Sequence, residues 1–332
     1  RFVDWIMQLI KIARSLTPGE YPPSVKEGVR MCLESGTTAI GEIVTNPEMA
    51  EYYYKSPLAG RLYFELLGQE PGHFMGRLAA ATAAARQGGE QALSAGLSPH
   101  SPYTIAQQHL PAIRDAALSH ALPLAVHLSE SSSEVDFIFD GSGTLASDLY
   151  PFVGWERFLG QSARCSSTEL LDRNGLLTPR TLAVHCVHVS AADAHIIKKR
   201  GSHIALCLRS NELLDVGRAP VALFKKLDIP LAIGTDSLAS NNSLSMWDEL
   251  RFALKAFPDD LSEKDVFRMG TICGAAALGI SSICGSLEVG KRADFQVVSA
   301  RSASNSGVEE RVVRDGKIEE VFVGGVRYAG SA

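Results

Sequence analysis

The sequence predicts a (β/α)8 barrel of the TIM type that lacks its first strand and carries a small β appendage at its C-terminal end. Three observations predict it. Seven short apolar runs alternate with helical patterns along the 332 residues. Most of these runs are continuously apolar, as expected of parallel strands covered on both faces. Their starts lie mostly about 20–35 residues apart, the size of one βα unit. An open doubly wound sheet shares these features, but no G-x-G-x-x-G follows any strand, which counts against dinucleotide binding.

The elements follow in chain order. Phe2, Val3, Ile6, Leu9, Ile10 and Ala13 recur at helical spacing, with Lys11 and Arg14 opposite them. This is an amphipathic helix without a start signal, and without the basic head and cleavage site of a signal peptide. Phe2 and Trp5 are candidates for a substrate pocket, but their spacing favours the core. Ser24 and Glu27 make a capping box for the next helix, which Gly36 closes. The runs TTAIGEIV (37–44), RLYFELLG (61–68), ALSAGLSPH (92–100) and LPLAVHLSE (122–130) read as strands. So do TLAVHCVHVS (181–190), HIALCLRSN (203–211) and PLAIGTDSLAS (230–240). Thr104 begins a helical pattern through Ile105, Leu110, Ile113 and Leu118. The interval 131–180, with Phe152, Trp155 and Phe158, reads as an extended βα loop with a helix of its own. Ser190 with Asp193 opens AADAHIIKKR, which Gly201 ends. After about residue 285 the pattern changes: GSLEVGKRADFQVVSA and RVVRDGKIEEVFVGGVRY read as strands with turns at Asp315-Gly316 and Gly324-Gly325. The barrel domain is thus expected over 1–284 and the appendage over 285–332.

Composition narrows the function. The chain is 45% hydrophobic and 21% charged, with a formal net charge of −5 and no basic block, so nucleic acid is not an expected partner. No apolar stretch approaches the roughly 20 residues that span a bilayer. The six cysteines form no C-x-x-C pair, which fits a reducing cytoplasm better than a disulfide framework. The expected partner is a small-molecule substrate; assembly as a homodimer is left open.

In a TIM barrel, function sits where strands end and βα loops begin. Those positions hold Pro99, His100 and Ser101; His127 and Glu130; His185 and His188; Arg209, Ser210 and Asn211; and Thr235, Asp236 and Ser237. Three strands thus deliver His, His and Asp to one rim. Imidazole and carboxylate are ligands that suit zinc or iron. Taken singly, each has an ordinary alternative as packing, turn or cap; their joint placement favours one divalent metal.

AVHLSE, LAVHCVHVS, LAIGTDSLASN and GSLEVGKRADF, quoted in that order, resemble the amidohydrolase superfamily. Within it they are similar to the branch of cytosine, guanine, S-adenosylhomocysteine and aminodeoxyfutalosine deaminases and triazine hydrolases. The resemblance covers nearly the whole chain and implies a distorted barrel with a small β-sandwich. It implies that His127 is the fifth-strand metal ligand and Glu130 the proton shuttle of H-x-x-E. It makes His185 the sixth-strand histidine beside the metal, and Asp236 the eighth-strand aspartate, a ligand that also accepts a proton. Metal binding is expected of His127, His185 and Asp236; catalysis of Glu130, His185 and Asp236. His188 matches no catalytic position.

The family's first-strand H-x-H is absent from this sequence, and the resemblance places it shortly before RFVDWI. With Arg1 in place of a starting Met, the chain is expected to be the remainder of a longer protein, with weak metal affinity and little activity by itself. The fourth-strand end SAGLSPHSPYT has no lysine to bridge two ions, which favours a single metal, zinc or iron. His100, Ser101, Tyr103, Glu134, Arg209 and Asn211 are candidates to contact substrate, each with a structural alternative. The leading expectation is hydrolytic deamination of an adenosine-like nucleoside. Hydrolysis of another C–N or a C–Cl bond, or an inactive small-molecule-binding barrel, are the alternatives.

Overall fold

The structure is a computed structural model that describes residues 1–87, 92–160, 162–300 and 307–330. All seven apolar runs are strands: β1 (Ala39–Val44), β2 (Ala59–Leu66), β3 (Leu93–Pro99), β4 (Leu124–Leu128), β5 (Thr181–His185), β6 (His203–Leu206) and β7 (Leu231–Ile233). They form one curled parallel sheet in sequence order, with β1 and β7 at its two edges among the described residues. Helices follow the strands and cover the outside, as parallel pairing requires.

Strand parity sorts the core. Ile43, Tyr63, Ala125, Leu182, Val184 and Ala205 face inward and pack with Ala277 and Leu278. Leu62, Phe64, Leu66, Val126, Leu128, Ile204 and Leu206 face the helices. Gly96 makes room for the largest interior side chain: a Cβ there would stand 2.5 Å from Pro123 O and 2.9 Å from the Tyr63 ring. The Leu278 carbonyl accepts a 2.9 Å bond from Arg61 Nε, which fixes that plug against β2.

The appendage is antiparallel: β8 (Phe295–Ser299), β9 (Lys317–Val323) and β10 (Val326–Gly330), in the order β10-β9-β8. Gly324 and Gly325 turn the chain between β9 and β10 with φ of 60° and 81°, as the sequence predicts. The helix Val308–Asp315 anchors this sheet through Arg251, which donates to Val313 O at 3.0 Å and Gly316 O at 2.6 Å.

Several boundaries differ from expectation. RVVRD is the end of that helix, not a strand before a turn. GSLEVGKRADFQVVSA supplies a strand only over Phe295–Ser299, and the expected appendage includes residues 301–306 and 331–332, which lie outside the described residues. Ser24 does not cap a helix. The helix Tyr21–Glu34 starts earlier with prolines in its first turn, where the missing N–H costs nothing, and Thr17 with Glu20 makes the capping box of the single turn Pro18–Glu20 that precedes it. Gly36 does close it, with φ 88°. Thr104 does not open a helix either: its hydroxyl is held by Ser101, and the helix spans Leu110–Ser119. The Ser190–Asp193 capping box and the Gly201 terminus are as expected. The 131–180 interval contains several helical segments, of which Ser132–Asp140 and Ser167–Arg173 are the longest.

Candidate active site

His127 sits at the C-terminal end of β4 and faces inward by parity with Ala125. Its Nδ1 bonds to His100 O at 2.7 Å, which leaves Nε2 toward the barrel mouth. His185 follows the inward-facing Val184 and by parity would point outward. It does not. His185 and Cys186 both adopt left-handed backbone, φ 71° and 51°, and exchange sides. Cys186 packs in the outer core while the His185 ring lies 5.6 Å from that of His127, centroid to centroid. Such backbone costs on the order of 1–2 kcal/mol per residue and persists only where its surroundings impose it. Here Cys186 N–H donates to Leu128 O at 3.0 Å, and His185 Nδ1 meets Asn211 Oδ1 at 2.8 Å.

Glu130 and Asp236 flank this imidazole. His185 Nε2 stands 3.6 Å from Glu130 Oε1 and 4.0 Å from Asp236 Oδ2. Asp236, also left-handed with φ 57°, accepts from Ser210 Oγ at 2.7 Å, Ser240 Oγ at 2.8 Å and Ser237 N at 2.7 Å. Burial raises the pKa of Asp236, but attraction to His185 and the serine hydroxyls outweigh it and hold the carboxylate below its usual range. Glu130 lacks such donors. Burial pushes it up to about 7, against the pull of His127 and with the repulsion of Asp236. Two carboxyls at one mouth therefore hold protons differently, which is the basis for assigning acid and acceptor roles.

The remaining predicted residues divide. His100 borders the site, its ring 4.9 Å from that of His127, while its Nδ1 meets Ser101 Oγ at 3.1 Å and Thr104 Oγ1 at 3.0 Å. Burial and the two neighbouring histidines lower His100 to about 3, so it is neutral. Tyr103 is buried close enough to Glu130 that the carboxylate raises its phenol further. Ser101 serves this local network. Asn211 Oδ1 holds His185, while its buried Nδ2 has no hydrogen-bond partner among the described residues. Glu134 does not face the mouth as a substrate contact. Its carboxylate is wholly buried and accepts from Ser129 N at 2.9 Å, Glu130 N at 3.1 Å and Ser167 Oγ at 2.5 Å. It clamps the loop that presents Glu130. Arg209 is tied to Asn242 and lies 3.8 Å from Glu249, which joins its helix to the Asp236 turn. His188 Nε2 bonds Val216 O at 2.8 Å, behind the site. Phe2 is core, and Trp5 Nε1 donates to Ala239 O at 3.0 Å.

One buried group at the mouth is absent from the sequence reading. Glu65 lies near the end of β2, on the inward parity of Tyr63, and is 9% exposed. A lone carboxylate inside the apolar run RLYFELLG is the signal that marks it.

The donors suit a divalent metal in kind: both imidazoles spend Nδ1 on an oxygen acceptor and present Nε2, the orientation that metal-bound histidines take. In number they fall short, since among the described residues no group of three His, Cys, Asp or Glu side chains is placed to hold an ion.

The C-terminal rim of this curled parallel sheet thus gathers two histidines and two carboxyls. The chain belongs to the amidohydrolase family, whose model matches residues 2–327. It is 32% identical over 304 residues to a 5-methylthioadenosine/S-adenosylhomocysteine deaminase of Desulforudis audaxviator, covering 88% of this chain and 65% of that protein. It is 29% identical over 267 residues to an aminodeoxyfutalosine deaminase of Deinococcus radiodurans, covering 77% of this chain and 63% of that protein. Among solved structures, an adenosine deaminase from Xanthomonas campestris with bound zinc superposes with a TM-score of 0.78 at 25% identity, over 97% of this chain and 73% of that one. The chain spans less than two thirds of the length of both curated relatives.

Proposed function

We propose that the protein acts as a metal-dependent hydrolase that deaminates an adenosine-like nucleoside and releases ammonia. The observation that carries this reading is the convergence of Glu130 and Asp236 on His185 Nε2, with Glu130 raised and Asp236 lowered. The deaminases to which the chain is similar support the substrate class.

His127 and Asp236, with His185 beside them, would hold one divalent ion, zinc or iron. When bound, such an ion lowers the pKa of water toward about 7. The protein's own groups manage the protons. Water adds its oxygen to the amino-bearing ring carbon. Glu130, protonated near neutrality, gives its proton to the ring nitrogen beside that carbon. Asp236 takes a proton from the attacking water, and His185 Nε2 accepts a hydrogen bond from it. The second proton of that water passes to the amine, the C–N bond breaks and ammonia leaves. Glu130, emptied by the first transfer, relays that second proton to the amine, and the proton on Asp236 then returns to Glu130; chloride needs no such protonation, so the acid at 130 favours deamination. Among the described residues no helix is long and apolar enough to cross a membrane. With all six thiols free, we place the protein in the cytoplasm.

A screen for ammonia and chloride release across adenosine-type nucleosides and chlorotriazines tests the reading. Ammonia from a nucleoside, falling by about 10²–10⁴ in Glu130→Gln, is expected. Undiminished turnover in that variant, or chloride release alone, overturns it.

A further inference from the structure

The loops after β6 and β7 are joined by a closed ring of polar groups that the proposed chemistry does not use. Glu249, on the helix Met246–Ala256, is wholly buried. Its Oε1 accepts from Asn241 Nδ2 at 2.7 Å, and its Oε2 accepts from Arg209 N at 3.4 Å. Asn241 Nδ2 also donates to Thr235 O at 2.7 Å, and Asn241 Oδ1 accepts from Asn242 N at 2.8 Å. Asn242 Oδ1 accepts from Arg209 Nη2, which closes the ring. Arg209 lies in the loop after β6, and Asn241 and Asn242 lie in the loop after β7. Glu249 clamps the two together from a third element.

The ring adjoins the groups at the mouth. Ser210, next to Arg209, and Ser240, next to Asn241, both donate to Asp236 Oδ2, at 2.7 and 2.8 Å. That oxygen is the one 4.0 Å from His185 Nε2. Asn211, two residues after Arg209, holds His185 Nδ1. His185 is thus held by one loop, Asp236 belongs to the other, and a single oxygen takes a hydroxyl from each. The distance between imidazole and carboxylate therefore follows the spacing of the loops. Asn242 is exposed, so water competes for its bond to Arg209. Glu249 and Asn241 are 0% and 5% exposed, and their bonds, shielded from water, are the firm part of the ring. Both Glu249 oxygens act as acceptors, and an amide in their place turns an NH2 group toward another donor.

We infer that Glu249 is a positioning residue: by clamping the two loops it sets where Asp236 Oδ2 stands relative to His185 Nε2. Its effect on turnover rests on the deaminase reading; its effect on the two side chains does not.

The test compares wild type with Glu249→Gln on the full chain, by the downfield proton resonance of His185 Nδ1–H and by kcat and KM for adenosine. Asn211→Leu identifies the resonance by deleting it. Glu249→Gln should lose the resonance while still melting cooperatively. Its kcat should fall about 10²-fold with KM within about threefold, the cost of misplacing reacting groups by about 1 Å. Ser210→Ala should add little to that loss, because both changes release the same oxygen. Glu42→Gln, a change of the same kind away from the mouth, should move neither readout. If Glu249→Gln does not fold, Asn241→Ala, which breaks the ring at its next member, should give the same pair of changes. An intact resonance, an unchanged kcat or full additivity with Ser210→Ala overturns the inference and leaves deamination intact. Loss of the resonance in the variant with no ammonia from wild type overturns the deaminase reading alone. A wild type without the resonance overturns the inference, and one that also releases no ammonia overturns both.

Discussion

His185 Nδ1 and Asn211 Oδ1 lie 2.8 Å apart, both side chains buried, and this bond fixes which imidazole nitrogen faces the two carboxyls. The acceptor at Nδ1 takes the proton there and turns Nε2 toward the two carboxyls. Asn211→Leu removes the acceptor at similar volume. Catalytic efficiency should fall about 10–100-fold, the scale for losing the outer partner of a site histidine. Melting temperature checks that the fold survives; unchanged efficiency would refute the orienting role.

The Glu134 clamp makes a separate claim about stability. Glu134→Ala leaves two backbone N–H groups and the Ser167 hydroxyl unpaired inside the loop. Denaturant unfolding should show a loss on the order of 3 kcal/mol. A surface-like change under 0.5 kcal/mol would mean that water or the loop itself repairs the gap.

His127→Ala bears on the metal. Elemental analysis after dialysis against zinc or iron should show lower stoichiometry than wild type. Equal stoichiometry would remove His127 from the ligand set.

Glu42 gives a pH dependence far from the mouth. It faces outward on β1, accepts a 2.7 Å bond from Tyr53 Oη, and burial pushes it up to about 6. Its folded value exceeds its unfolded one of about 4.5, so the stability linked to the protonated form is complete below pH 4.5 and is lost as pH rises through 6. Glu42→Gln should flatten that decline by on the order of 1 kcal/mol between pH 4.5 and 7.5, read by unfolding at each pH. Parallel curves for wild type and variant would contradict it.

The sequence made the barrel legible because parallel strands buried on both faces leave unbroken apolar runs. All seven such runs became strands, and His127, Glu130, His185 and Asp236 came together at one rim. What stayed hidden depends on contacts rather than on residue type. Glu134 looked like a ligand for substrate because it is polar and near the rim, but its carboxylate is taken up by Ser129, Glu130 and Ser167 of the neighbouring loops. Ser24 caps nothing because Pro22 and Pro23 already lie in the first turn of a helix that begins at Tyr21. Glu65 was hidden by the apolar residues around it, since a run of that kind is read for burial, not for its exception.

The exchange of sides at His185 and Cys186 separates two sets of positions that a regular strand would keep in step. Below it, even spacing governs what fills the cylinder. Above it, the imidazole is oriented by a partner from the next strand's loop and owes nothing to the spacing beneath. Substitutions in the interior and substitutions at the rim are therefore free to accumulate independently, which gives this scaffold room to change the molecule it accepts without rebuilding what holds it upright.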